Sequence, residues 1–342
     1  MSERGQPSLR ARLITAAAIA AHLAIAAAWP AAAGPVDRIE IDSRAIGSFR
    51  IGESRMRFGQ LEFVGGLEMT SPAGEFGALS AFRFLTPGAD FIGIADTGFW
   101  FFGTVERDAE RRPIGIQDFR MAPILDRSGR AGAAKAEVDA EGLEVADGIA
   151  IVGFERHHRI ARYRIDPGGM GPALGEVDFL VPARELRRNR GFETVARAAA
   201  GPQAGRLVVV SEKSLDASGN IFAAIVEGPG TGVFAVRRDG EFDITDGAFL
   251  PGGDLLVLER SFTMTAGVAM RLRRIEAASM EKGKVADGPI LIEADMGYQI
   301  DNMEGMDVWR RDDGAVMVSL ISDDNQSLLQ RSLYLEFILH QD

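Results

Sequence analysis

Short apolar runs recur along the chain. Residues 148–154, 206–210, 254–258 and 315–320 consist of apolar residues and Gly, with only Arg206, Asp254 and Ser319 as polar exceptions. Pro251-Gly252-Gly253 precedes the third run and Asp312-Asp313-Gly314 the fourth. Runs of this length behind such turn signals predict β-strands. Residues 159–165 and 270–275 instead mix apolar and basic positions in near alternation, the pattern of half-exposed outer strands.

The strands belong to a repeat. An acidic residue beside Gly and an apolar residue returns as Gly66-Leu67-Glu68, Glu141-Gly142-Leu143, Gly191-Phe192-Glu193, Asp246-Gly247-Ala248 and Glu304-Gly305-Met306. The acidic positions lie 73, 52, 53 and 58 residues apart. An apolar strand follows each anchor, and a second acidic residue closes it: Asp96, Glu155, Glu212, Glu259 and the pair Asp323-Asp324. A period near 50 residues with about four short strands per unit predicts an all-β chain folded as a β-propeller. Residues 34–342 at about 52 per unit make about six blades, with five and seven left open and an open pair of β-sheets as the rival architecture. Residues 105–137, rich in charge and Gly, read as a loop or arm inside the 73-residue gap. Residues 36–63 and 332–339 fall outside the counted units and are expected to pair and close the ring, because closure removes exposed strand edges.

Composition narrows the chemistry. The 342 residues contain 40 Gly, 14 Pro and no Cys, so disulfide scaffolds and cysteine nucleophiles are excluded. The four histidines are His22, His157, His158 and His340, too few for a His-rich metal centre. The net charge of −11 argues against nucleic acid as a partner. Arg4, Arg10 and Arg12, an apolar stretch over residues 13–29 and Ala31-Ala32-Ala33 form the three parts of a secretory signal peptide over residues 1–33. An uncleaved membrane anchor is the alternative. Cleavage removes three Arg and Glu3, moving the net charge from −11 to −13. The mature protein is therefore expected to be acidic, to lack a stable membrane span, and to reside in the periplasm or be secreted.

In a propeller, equivalent positions of successive blades converge on the axis. Acidic residues far apart in sequence are then expected to form a ring. Clustered carboxylates repel one another unless a cation neutralises them. Calcium suits such a ring, since it takes six to eight oxygen ligands in irregular geometry, and zinc does not, without Cys and almost without His. Glu141, Glu193, Glu304, Asp323 and Asp324 are the expected ligands. Three closing acids are each followed by a base, in Glu155-Arg156, Glu212-Lys213 and Glu259-Arg260, and Arg190 directly precedes Gly191. Arg190, Lys213 and Arg260 are the expected catalytic bases that would hold phosphate oxygens beside the cation. The structural alternative is that these acid–base pairs lock neighbouring blades. Met69, Met303 and Met306, beside the anchors, are expected to pack between blades. His157-His158 read as a surface pair at a strand end.

The ordered motifs resemble a known family. They are Asp139-Ala140-Glu141-Gly142-Leu143, Asn189-Arg190-Gly191-Phe192-Glu193, Thr245-Asp246-Gly247-Ala248-Phe249-Leu250-Pro251-Gly252-Gly253, Leu258-Glu259-Arg260-Ser261-Phe262, Asn302-Met303-Glu304-Gly305-Met306 and Ser322-Asp323-Asp324-Asn325. Together they resemble the bacterial phytase-like family, whose domain is called "esterase-like activity of phytase". The resemblance runs from about Leu61 to Leu339. It implies a single propeller domain over residues 34–342 and a hydrolytic role on ester or phosphoester bonds. It carries over no catalytic residues. The leading expectation is an exported, calcium-dependent hydrolase of a small-molecule phosphate or carboxylic ester. A calcium-dependent lactonase or carboxylesterase propeller and a non-catalytic periplasmic binding propeller are the alternatives.

Overall fold

The structure, a computed structural model, describes residues 33–186 and 191–340. The expected signal peptide therefore falls almost wholly outside the described residues, as does Arg190. Among the described residues, no helix is long and apolar enough to cross a membrane.

Five antiparallel sheets form the blades. Blade I contains Leu79–Phe84, Asp90–Ala95, Phe99–Arg107 and Pro113–Pro123, with Asp37–Arg38 added at its outer edge. Blade II contains Ala140–Ala146, Ile149–Phe154, Arg159–Arg164 and Gly175–Val177. Blade III contains Phe192–Arg197, Leu207–Leu215, Ile221–Glu227 and Gly232–Val236. Val285–Ala286, from a connection inside blade IV, pairs parallel with its outer strand. Blade IV contains Asp243–Phe249, Leu255–Thr263, Gly267–Ile275 and Ile290–Ala294. Blade V combines Asn302–Arg310, Val316–Asp323 and Ser332–Leu339 with Leu61–Thr70 and Asp42–Ile46 from the start of the chain.

The first strand of each blade touches the first strands of the two neighbouring blades, and the cycle closes from V back to I. These five strands line the axis. Five apolar cores alternate with the blades. One packs Ile92, Ile94 and Trp100 of blade I on Val152 and Tyr163 of blade II, and another packs Leu258 and Leu272 of blade IV on Leu320 and Leu335 of blade V. Each blade is therefore buried on both faces, which is why its second strand reads as a continuous apolar run rather than an alternating one. Met303 and Met306 lie in the core between blades IV and V, and Met69 in that between V and I.

The propeller, and its closure by a strand from the start of the chain, agree with the sequence pattern, but the strand paired with Ser332–Leu339 is Leu61–Thr70, which shares only residues 61–63 with the expected stretch 36–63. The blade count is five rather than the favoured six. Gly66-Leu67-Glu68 does not open a blade: it lies in Leu61–Thr70, the fourth strand of blade V, hydrogen-bonded to the C-terminal strand. The first 73-residue interval therefore starts in a closing strand and holds no extra blade. Residues 105–137 also differ from the expected arm. Residues 113–123 pair with 99–107 as the outer hairpin of blade I, and only the short helix Lys135–Val138 follows the loop after it.

Candidate active site

One irregularity repeats in all five axial strands. The register between first and second strands shifts by one residue at the same place in every blade. The extra residue is Ser80, Glu141, Glu193, Thr245 or Glu304 in blades I to V. A bulge of this kind leaves one residue out of the ladder and re-aims its side chain. Here three of the five are glutamates from different blades, close enough for Glu141 and Glu304 each to raise the Glu193 carboxyl.

A second ring lies one step toward the mouth, where the second strand of each blade ends. Asp96 donates its amide to Ala78 O, Glu155 to Asp139 O, and Glu212 to Gly191 O. Arg260 pairs with Asp243 and Asp323 with Asn302 at the same register. The mouth ring is thus Asp96, Glu155, Glu212, Arg260 and Asp323. Blade IV contributes a base where the other blades contribute an acid.

The charge balance is uneven. Arg260 Nη1 lies 2.8 Å from Glu304 Oε1 and Nη2 lies 3.4 Å from Glu212 Oε1, and Nη1 also donates to Asn302 Oδ1. Burial works against the Arg260 charge, but Glu304, Glu212, Glu193 and Asp323 outweigh it and raise the guanidinium pKa. On the blade I–II side, Lys135 Nζ contacts Asp96 at 2.5 Å and Asp139 at 3.4 Å, and Arg156 pairs with Asp139. Burial pushes the Glu155 carboxyl up to about 7, with the Gly191 amide opposing and Glu212 and Asp139 adding repulsion. Glu304 is pushed up to about 8 by burial, with Arg260 opposing and Asp323 and Glu212 adding repulsion. Asp323 rises to about 7, again chiefly through burial. Burial followed by neighbouring carboxylates raises Glu141 and Glu193 further still.

Two triads of carboxylate oxygens lie close enough to share a cation: Asp96, Asp139 and Glu141, and Glu155, Glu193 and Glu212, each within 4.8 Å of one another. The second triad has the stronger claim. All three of its residues are buried, whereas Lys135 and Arg156 already neutralise much of the first. An all-oxygen donor set of this kind fits a hard divalent cation.

A floor closes the axis beyond the glutamates. Arg83 of blade I reaches across to blade IV, where its two Nη atoms bind the Asp246 oxygens at 2.8 and 2.9 Å. It also donates to Met306 O at 2.6 Å and Gly247 O at 3.1 Å. Asp246, counted in sequence as an anchor of the acidic ring, is thus the floor's counter-charge. Glu259 is displaced in the same way. It faces out of the channel, buried between Arg271 and Arg273, whose nearest contacts are 2.5 and 2.6 Å.

Of the expected ligands, Glu141, Glu193 and Glu304 meet at the axis and Asp323 stands at the mouth. Asp324 does not join them: it ties a turn, accepting from Ala78 N at 3.1 Å, Gln326 N at 2.9 Å and Ser332 Oγ at 2.8 Å. Of the expected bases, Arg260 lies inside the carboxylate ring rather than facing an open oxyanion site. Lys213 lies outside the ring, 2.8 Å from Asp243 of the next blade. His157 contacts Glu137 at 2.7 Å, away from the axis. Asp139 was visible in its motif but carried no signal of its own as a ligand. Its position follows from the backbone bond between Glu155 and residue 139. The axial position of blade I is hidden in sequence because Ser80 occupies it.

Beside Arg260 and Lys213, between blades IV and V, a cavity of about 670 Å³ opens on the mouth face. Solved structures similar to this chain include an endo-arabinase from Bacteroides thetaiotaomicron, 12% identical over 79% of this chain and 97% of that one, with a TM-score of 0.45. A thermostable family-43 glycoside hydrolase is 10% identical over 77% and 90%, with a TM-score of 0.45. A glucose dehydrogenase is 10% identical over 80% and 98%, with a TM-score of 0.40. Comparison with curated proteins returns no match. Residues 74–326 match the phytase-like family, described as "Esterase-like activity of phytase". With most of its length inside that match, from the first axial strand to the turn after Asp323, the chain belongs to the phytase-like family.

Proposed function

We propose that this protein is an exported hydrolase of ester bonds, phosphoester or carboxylic, that works with a divalent cation, calcium by its donor chemistry, at the axial carboxylates. The observation that carries the reading is the repeated bulge, which aims Glu141, Glu193 and Glu304 at one point beneath a mouth ring that is itself mostly acidic. So many buried carboxylates around one Arg oppose folding unless a cation offsets them. Glu155, Glu193 and Glu212 would hold it, with Glu141 and Glu304 beside them. Bound there, the cation supplies polarisation of the ester oxygen and of an attacking water.

The remaining chemistry belongs to the chain. Asp323, its Oδ1 held by the Asn325 amide at 2.6 Å, leaves Oδ2 to take a proton from water at near-neutral pH. The water oxygen would bond to carbon or phosphorus, the ester bond to the leaving oxygen would break, and that oxygen would take back from Asp323 the proton the water gave up, leaving as the alcohol. The Arg83–Asp246 floor restricts access to the mouth side. The three-part signal over residues 1–33 supports a periplasmic or secreted location, where millimolar calcium sites find their ion.

The test is calorimetric calcium titration of the purified full chain, with thermal unfolding in calcium and in chelator and a panel of carboxylic esters, lactones and phosphomonoesters. Stoichiometric binding, a higher midpoint in calcium and chelator-sensitive turnover are expected. A protein that binds calcium yet turns over no ester would be a binding propeller. One that binds no divalent cation would remove the reading altogether.

A further inference from the structure

The mouth carries a feature that hydrolysis of a polar phosphate does not require. Five of the large hydrophobic residues exposed on the molecule gather on the mouth side of blades IV and V. Phe262 is 64% exposed, Met264 91%, Met296 52%, Leu328 105% and Leu329 94%. Their placement follows from the strands. In blade IV the second and third strands run on past the mouth ring as a hairpin, with Phe262 paired to Val268 and Thr263 to Gly267. In blade V the corresponding connection is the loop that carries Leu328 and Leu329. Phe262, Val268, Met296 and Leu329 line the same cavity of about 670 Å³ as Arg260 and Lys213.

This cavity is continuous with the carboxylate ring. Arg260 lines it and contacts Glu304 and Glu212, and Asn302 lines it and donates to Glu304 at 3.0 Å. Its volume is that of a small-molecule site. An exposed apolar patch rimmed by polar residues is a mark of a ligand-binding groove or interaction site. The described bases nearby already face carboxylates: Arg260 as above and Lys213 at Asp243. A polyphosphate would therefore meet an acidic mouth, whereas a substrate with one ester group and an apolar remainder would place each part against matching surface.

Resting on the proposed hydrolase reading, we infer that the substrate is an amphiphilic monoester, its ester group at the axial carboxylates and its apolar alkyl, acyl or aryl part against the Phe262–Met296–Leu329 wall. Because the wall residues are exposed, polar substitution there leaves the five cores intact.

The experiment uses the full chain in calcium. Turnover is measured on 4-nitrophenyl acetate, butyrate and octanoate, on 4-nitrophenyl phosphate and on inositol hexakisphosphate. Binding of methylphosphonate and octylphosphonate, which cannot be hydrolysed, is measured by calorimetry. The wild type should bind octylphosphonate at least roughly tenfold more tightly than methylphosphonate, and kcat/KM should rise with acyl length. In the double variant Phe262→Ser, Leu329→Ser both ratios should fall toward one. Octylphosphonate preference without turnover of any ester would sustain the apolar site and sink the hydrolase. Turnover without chain-length preference, or with inositol hexakisphosphate as the best substrate, would sustain the hydrolase and overturn this inference. A dimer in sedimentation that the double variant dissociates, with no alkyl preference, would overturn it too, because the wall would then cover a second copy.

Discussion

Single carboxyl groups dominate the energetics of the mouth. Burial pushes Glu304, Glu155 and Asp323 up to about 8, 7 and 7 in the folded protein, well above their values of about 4 in an unfolded chain. Their folded pKa values are raised, so between pH 4 and 8 the folded state binds more protons than the unfolded one. Stability must then fall as pH rises through that window. In chelator, stability should fall steadily from pH 5 to pH 8, by roughly several kcal/mol in all, read as a falling unfolding midpoint. Saturating calcium should flatten the slope, since the cation replaces the protons. Glu193→Gln should do part of the same without metal. It should raise the midpoint in chelator at pH 8 while weakening calcium binding at least roughly tenfold, a loss of about one strong ligand. A chelated protein that gains stability toward pH 8 would contradict this account.

The bulge is the element that makes the site, and its neighbours show what it demands. The residue after each bulge is Ala81, Gly142, Thr194, Asp246 or Gly305. These positions face the adjacent axial strand at close range. A Cβ at Gly142 would lie 2.7 Å from Phe192 O and 2.8 Å from Glu193 O, and one at Gly305 would lie 3.0 Å from the Ala81 Cα. At Gly142 the two nearest obstacles are backbone, which cannot rotate away, whereas at Gly305 the Ile321 Cγ1 is nearer still, at 2.7 Å. Gly142→Ala should therefore cost about 2–3 kcal/mol, seen as a midpoint lowered by about 5 °C. Because it separates the strands that carry Glu141 and Glu193, it should also weaken calcium binding. A variant with unchanged midpoint and affinity would mean that the two strands are not packed as described.

At the scale of the whole molecule, the ring depends on one chain-spanning sheet. Ser332–Leu339 lies in the middle of blade V, between Val316–Asp323 and Leu61–Thr70. Its Leu333, Leu335, Phe337 and Leu339 are all buried. Removing residues 332–342 would strip blade V of its third strand and leave Leu61–Thr70 without that partner. Such a truncated chain should lose cooperative unfolding altogether, and with it any calcium binding, although every axial carboxylate remains in the sequence. A sharp calorimetric transition in the truncated protein would show that closure is dispensable.

The sequence by itself determined the class of fold and singled out most of the acids that the structure brings to the axis. Apolar runs, turn signals and a period near 50 residues sufficed for the propeller, because strand length and blade size are local properties. The acids Glu141, Glu193 and Glu304 stood out because they recur beside Gly at that period, and Asp323 because it closes the strand that follows the last of them. Tertiary structure alone decided which acids share a site. A bulge moves one residue out of the ladder, and side chains alternate faces, so a one-residue offset sends Asp246 to the floor and Glu259 to an internal Arg pair while Thr245 and Arg260 take the ring positions. The blade count escaped for a similar reason: Leu61–Thr70 looks like the start of a repeat and becomes the end of one, since its partner strand lies at the far end of the chain. Local pattern records which residues form strands. Which strand closes the ring, and which side chains meet at its centre, depends on contacts between residues hundreds of positions apart.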